Sequence, residues 1–106
     1  MTLKVRFAPS PTGMMHIGNA RMALVNFLFA RNQGGTFLLR VDDTDQERCK
    51  PEYEQAIKNA LIWLGMNWDE EEHQSDRITR YEEVFEKLKA EGIVYDCYET
   101  PEELEY

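Results

Sequence analysis

Apolar and basic positions alternate at the start of the chain, where Lys4 and Arg6 separate Leu3, Val5 and Phe7. That period of two predicts a short strand running to Ala8. A loop with two prolines and a glycine follows. From His16 onward Ile17, Ala20, Ala23, Leu24, Phe27, Leu28 and Ala30 recur at helical spacing, and Gly34-Gly35 supply a stop. Thr36-Phe37-Leu38-Leu39-Arg40-Val41 then reads as a mostly buried strand, bounded by glycine before it and a cluster of aspartates after it. Strand, helix and strand in this order predict a parallel βαβ unit with a right-handed crossover.

Beyond the polar turn Asp42-Asp43-Thr44-Asp45, Pro51 suits a first helical turn, and Tyr53, Ile57, Ala60, Leu61 and Leu64 line one side before Gly65. This is the expected second crossover helix. Residues 66–76 read as a connecting loop. Ser75 or Asp76 could cap a further helix with Ile78, Tyr81, Phe85 and Leu88 on its core side and Gly92 at its end. Ile93-Val94-Tyr95 is the expected third strand. Thr100-Pro101-Glu102-Glu103 has the form of a helix start, with threonine as cap, proline at the first position and glutamate at the third. No repeat, low-complexity segment or flexible linker interrupts this order, so a break inside a larger domain is expected.

Composition narrows the classes. A chain of 106 residues fits one small domain and is short for a complete multi-step enzyme. It has 42% hydrophobic and 30% charged residues, a globular balance, with no apolar run long enough to cross a bilayer and no secretory signal at its start. A cytosolic location is expected. Cys49 and Cys97 form no Cys-x-x-Cys pair, so reduced thiols are the default. The net charge of -8 would repel a phosphate backbone if it were evenly spread. It is not: residues 1–40 hold five Lys and Arg and no acid, and most acids follow Gly65.

The most specific residues are Arg6-Phe7-Ala8-Pro9-Ser10-Pro11-Thr12-Gly13 followed by His16-Ile17-Gly18-Asn19. They resemble the first signature of the class I aminoacyl-tRNA synthetases. Its expected place after a strand and at a helix start, with Asp42-Asp43-Thr44-Asp45 ending the next strand, makes the pair similar to glutamyl-tRNA synthetases. Gln74-Ser75-Asp76-Arg77, Tyr81, Gly92, Tyr95 and the run from Cys97 to Leu104 extend the similarity over nearly the whole chain.

The resemblance implies an α/β fold: the first half of a Rossmann-like parallel βαβαβ nucleotide-binding domain over residues 1–99. Residues 100–106 would begin a tRNA acceptor-binding insertion. It also implies ATP-dependent activation of L-glutamate to glutamyl-adenylate and transfer to the 3′ end of tRNA(Glu). His16 would donate to a phosphate oxygen from a helix N-terminus, whose dipole favours the same charge. Gly18, lacking a side chain, would let adenine or ribose approach. Pro9, Thr12, Gly13 and Asn19 complete the implied ATP set. Arg6 would hold a glutamate carboxylate, with Ala8 and Ser10 beside it, and Asp42 would meet the ammonium group. Asp45 and Arg48 would lie near the tRNA acceptor end.

Two positions depart from the family pattern. Relatives usually carry Glu where this chain has Asp42, one methylene shorter, which allows a rearranged or water-mediated contact. Many also carry Cys-x-Cys where Cys97-Tyr98-Glu99 stands, so no structural zinc is expected. Magnesium is expected with ATP, held largely by the phosphates. The second class I signature, a lysine-rich loop, does not occur in this chain. The segment alone is therefore expected to be nearly inactive, with an exposed apolar sheet edge and face that favour self-association. The alternatives are a glutaminyl-tRNA or glutamyl-queuosine tRNA synthetase relative and a binding-only ATP module.

Simpler readings exist for each feature. Arg6 could be the exposed side of an edge strand, and the aspartate turn a solvated loop or a cation site, although it lacks the glycine and distal glutamate of an EF-hand. Cys97 is expected to be an inert buried thiol, and Trp63 and Trp68 are expected to be packing residues.

Overall fold

A computed structural model describes residues 2–105. Strand β1 (Lys4–Phe7), helix α1 (Ile17–Asn32), strand β2 (Thr36–Val41), helix α2 (Pro51–Trp63) and strand β3 (Glu70–His73) follow one another. The sheet order is β1-β2-β3 and both pairings are parallel. This is the expected α/β beginning of a Rossmann-like domain.

Register fixes two faces, because side chains alternate along each strand and partners in register share a face. Val5 and Phe7 align with Phe37 and Leu39, and Leu39 and Val41 continue to Glu71 and His73. On this face both helices pack. The core joins Phe7, Phe37, Leu39 and Val41 to Ala23 and Ala30 of α1, Ile57 and Leu61 of α2, and Met66. Phe27 meets Phe37 edge to face at 5.7 Å. Crossovers of one hand that step the sheet in one direction must leave both helices on one side. The opposite face carries Lys4, Arg6, Thr36, Leu38, Arg40, Glu70 and Glu72.

The third strand is not where the pattern placed it. Residues 70–73 form β3, whereas 93–95 lie outside any strand, with Ile93 and Tyr95 exposed. Glu70-Glu71-Glu72-His73 has no apolar alternation because its side chains are satisfied by charge. Lys4 pairs with Glu70 on the open face, and Lys58 pairs with Glu71 on the helix side. Asp69, just before the strand, takes two guanidinium bonds from Arg31 and accepts the N–H of Phe37 at 2.7 Å. The expected apolar edge is thus acidic at β3, which discourages strand addition. The exposed apolar surface lies instead on the helices, at Met22, Val25, Leu28 and Phe29 of α1 and Ile62 and Trp63 of α2.

The glycines expected to close helices do so. Gly34, Gly65 and Gly92 all take positive φ, at 65°, 78° and 74°. Contacts divide the chain into two units, one through Asp76 and one from Arg77 onward. A 3₁₀ turn (Gln74–Arg77) spans the junction, and neither Ser75 nor Asp76 caps the next helix; the cap position is Arg77. In the second unit α3 (Ile78–Ala90) has no buried residue, so Ile78, Tyr81 and Phe85 are exposed, not core as expected. Helix α4 (Pro101–Leu104) starts with the expected capping box of Thr100 and Glu103. Two other expectations fail: Cys97 is exposed, its thiol donating to Glu99, and Trp63 is 85% exposed. Trp68 does pack against the core.

Candidate functional site

The loop between β1 and α1 is held at both ends. The N–H of Asp42 donates to the carbonyl of Pro9 at 2.9 Å, extending the β1–β2 ladder by one rung. The N–H of Lys50 donates to the carbonyl of Pro11 at 3.1 Å, and Pro11 is buried. Such anchoring suits a loop that must present groups in fixed positions.

At the end of the loop His16 is the N-cap of α1, in extended conformation. Its Nδ1 accepts the N–H of Gly18 at 3.1 Å, and the side-chain oxygen of Asn19 accepts the N–H of His16 at 3.4 Å. Histidine here does the work that serine or threonine usually does. With Nδ1 accepting, the neutral ring carries its proton on Nε2, an outward donor. Gly18 leaves room for this fold-back: a Cβ there would stand 3.0 Å from Cε1 and 3.1 Å from Nδ1 of His16, and the ring would have to give by a few tenths of an ångström. No acid sits in the first turn of α1, so the positive end of the helix dipole has no internal counter-charge.

Pro9, Ser10, Thr12, Gly13, Met14, Met15, His16, Asn19 and Ile57 surround a concavity of about 290 Å³. Every residue of the expected ATP set except Gly18 lines it, and Gly18 shapes it through His16. Met14, Met15 and Ile57 were not expected there. The methionines carry no polar motif, and Ile57 arrives from a distant helix.

The expected amino-acid set gathers on the open face of the sheet. Arg6 is exposed on β1, Ala8 continues its parity, and Ser10 lies beyond them at the rim of the concavity. Asp42 continues the parity of Leu38 and Arg40 on β2. Its two oxygens accept Nε of Arg40 at 2.7 Å and a terminal guanidinium nitrogen at 3.2 Å. The sequence reading missed Arg40; the available signal was its spacing of two from Asp42 on one strand. Ser10 of the amino-acid set lines the concavity, and the carbonyl of Pro9 from the ATP set accepts the N–H of Asp42, so the two halves adjoin at that point.

Asp45 and Arg48 bind each other, and Arg48 is exposed. The Arg48 guanidinium, by hydrogen bonding, holds the Asp45 carboxyl below its ordinary value. Asp43 points elsewhere. Partial burial pushes its carboxyl up, but bonds from the hydroxyl and N–H of Ser75, at 2.7 and 2.8 Å, outweigh this and leave it lowered. Beside it Cys49 lines a second concavity of about 340 Å³, and burial, with Asp45 and Asp43 nearby, pushes its thiol up. That environment suppresses thiolate chemistry. Glu54, Glu71 and His73 bring ligand atoms within 4.8 Å of one another, but Lys58 donates to both glutamates and supplies the positive charge there.

A strand-to-helix turn with a histidine cap thus stands next to a strand end bearing an acid, in an α/β domain with a parallel sheet. The family model described as "tRNA synthetases class I (E and Q), catalytic domain" matches residues 2–106, and the chain belongs to that family. Among curated proteins it is 63% identical over 102 residues to "Glutamate--tRNA ligase 2" of Gluconobacter oxydans, covering 96% of this chain and 23% of that protein. It is 59% identical over 104 residues to "Glutamate--tRNA ligase" of Azospirillum brasilense, covering 98% of this chain and 23% of that one. Among solved structures it is similar to a glutamate tRNA ligase from Elizabethkingia meningosepticum in complex with its amino acid. The TM-score is 0.82 and identity 40%, covering 99% of this chain and 23% of that chain. The chain therefore spans about a quarter of the length of these relatives. No helix among the described residues is long and apolar enough to cross a membrane.

Proposed function

We propose that the full-length protein carrying this segment is a glutamate–tRNA ligase. It activates glutamate with ATP to glutamyl-adenylate and pyrophosphate, then transfers the glutamyl group to the terminal ribose of tRNA(Glu). This segment supplies the helix-start half of the ATP site and the first part of the amino-acid site. The observation that carries the reading is His16: its ring is fixed by Gly18 N–H on Nδ1, which leaves Nε2–H to donate at the head of α1.

The chemistry explains the arrangement. A glutamate carboxylate oxygen attacks the α-phosphorus, a P–O bond forms, and the bond to pyrophosphate breaks. Charge builds on the non-bridging oxygens, where a fixed donor and a helix N-terminus are worth most. Pro9, Thr12, Gly13, Gly18 and Asn19 shape the nucleotide side. On the open face Arg6 offers a guanidinium to a glutamate carboxylate, Ala8 and Ser10 bound the space, and Asp42 receives the ammonium group. A carboxylate has about four lone-pair sites, so Asp42 can serve Arg40 and the ammonium together. Asp45 and Arg48 face the acceptor end of tRNA. Magnesium accompanies the ATP phosphates, and no zinc is held at Cys97, which has one thiol and a neighbouring carboxylate. The protein acts in the cytoplasm.

Pyrophosphate exchange with each amino acid, in the presence of tRNA, tests the reading. Exchange that depends on glutamate is the expected result. Dependence on glutamine would replace it with the glutaminyl type, and ATP binding without exchange would reduce it to a binding module.

A further inference from the structure

The turn that follows β2 carries groups for two substrates of the proposed reaction, Asp42 for the amino acid and Asp45 with Arg48 for the acceptor end of tRNA. It has to hold them at a fixed spacing. Its first tie is the N–H of Asp42 on the carbonyl of Pro9 at 2.9 Å, and its last is the N–H of Lys50 on the carbonyl of Pro11 at 3.1 Å. Between them the chain folds on itself, because the N–H groups of Arg48 and Cys49 both donate to Asp45. Both outer ties run toward the β1 loop, and neither fixes the turn on its β3 side.

Asp43 supplies the tie on that side. Val41 and His73 are register partners, so Asp43 and Ser75 each lie two residues beyond the paired ends of β2 and β3. Asp43 continues the parity of Leu39 and Val41, opposite to Asp42. Its two oxygens accept the N–H and the hydroxyl of Ser75 at 2.8 and 2.7 Å, in a part-buried position. A side chain thus stands in for the next backbone rung, with bonds strengthened by the carboxylate charge. Behind the turn lies the concavity of about 340 Å³, bounded by Pro11, Asp43, Cys49, Glu54 and Ser75. Close packing therefore does not hold the turn there, and the Asp43–Ser75 bonds do.

Resting on the glutamate–tRNA ligase reading, we propose that Asp43 and Ser75 are a positioning pair that locks this turn in the one conformation able to bind both the amino acid and the tRNA end. The pair acts through Asp42, Asp45 and Arg48 and touches no substrate itself. A turn released on its β3 side is competent only part of the time, and each ligand that needs the competent form loses apparent affinity by that same fraction.

The test is tRNA glutamylation by the full-length protein carrying this segment, with KM measured for glutamate, tRNA(Glu) and ATP. Wild type must charge tRNA in a glutamate-dependent way; its failure to do so overturns the ligase reading and this inference with it. Given that activity, Asp43→Ala is expected to raise the KM for glutamate and for tRNA by about tenfold each, the scale of one part-buried charged hydrogen bond. The KM for ATP should hardly change, because the head of α1 is fixed by its own capping box. Asp43→Asn keeps an oxygen for the N–H and gains an amide that can donate to the hydroxyl, so it should retain most of both affinities. Ser75→Ala keeps only the N–H bond and should fall between the two. A loss confined to kcat, a rise in one of the two KM values alone, or an equal rise for ATP would overturn the positioning role and leave the ligase reading standing. Should Asp43→Ala fail to show a cooperative melt, Ser75→Ala decides alone: raised KM for both glutamate and tRNA supports the role, and wild-type values overturn it.

Discussion

His16 caps its helix and, in the proposed mechanism, serves the chemistry with the same ring. Its Nδ1 completes the start of α1, and the same bond decides which nitrogen carries the proton. His16→Ala in the full-length protein is expected to lower the activation rate by about 10² to 10³, typical of one transition-state donor, with a smaller change in ATP affinity. Equal losses would assign the ring to ground-state binding. Gly18 protects this arrangement. Because a Cβ would sit 3.0 Å from the ring, Gly18→Ala should push the imidazole aside by a few tenths of an ångström and weaken its bond to the cap. Nitrogen-15 shifts of His16 are expected to report an Nε2–H tautomer in the wild type and a mixture in the variant.

Elements are joined largely by carboxylates that bind backbone groups. Asp69 ties α1 to β2 through Arg31 and the N–H of Phe37, and the Arg31 guanidinium, first among causes, lowers its carboxyl. The side chains are 38% and 41% exposed, so the ion pair itself is discounted for solvent. Asp69→Ala is expected to cost about 1 kcal/mol, mainly through the unpaired Phe37 N–H, measurable as a lower urea midpoint. Asp43 does the same for the exit from β3 by holding Ser75. Its folded-state pKa lies below the ordinary value, so its contribution is complete above about pH 4 and is lost as pH falls through the folded value. Urea midpoints should drop as pH falls below about 4, and Asp43→Asn should flatten that dependence.

At the scale of the molecule, the proposed function gives the segment one side of a site. The concavity at the head of α1 and the charged sheet face adjoin at Pro9 and Ser10, while the apolar outer surface of α1, with Val25 at 60% and Phe29 at 50% exposure, faces solvent. A contiguous exposed apolar surface usually marks an interface. The 106-residue chain alone is expected to exchange pyrophosphate far more slowly than the full-length protein, and to self-associate at high concentration. Kinetics of both forms and light scattering against concentration check these outcomes. A strictly monomeric segment would count against self-association.

Periodicity and punctuation by themselves determined β1, α1, β2 and α2: β1 alternates up to a proline loop, α1 and α2 repeat apolar residues at helical spacing up to a glycine, and β2 is a short apolar run between glycine and aspartates. The residues from Pro9 to Asn19 determined the family, since their types at those positions are specific. Tertiary structure alone decided the rest. It chose residues 70–73 as the third strand, because their glutamates are satisfied by lysines from β1 and α2 that no local pattern reveals. It left Ile93 and Tyr95, and Ile78, Tyr81 and Phe85 of α3, in solvent, since helical periodicity describes a face without saying what covers it. It set Arg40 against Asp42, where side-chain direction along the strand turned two separate charges into one oriented group.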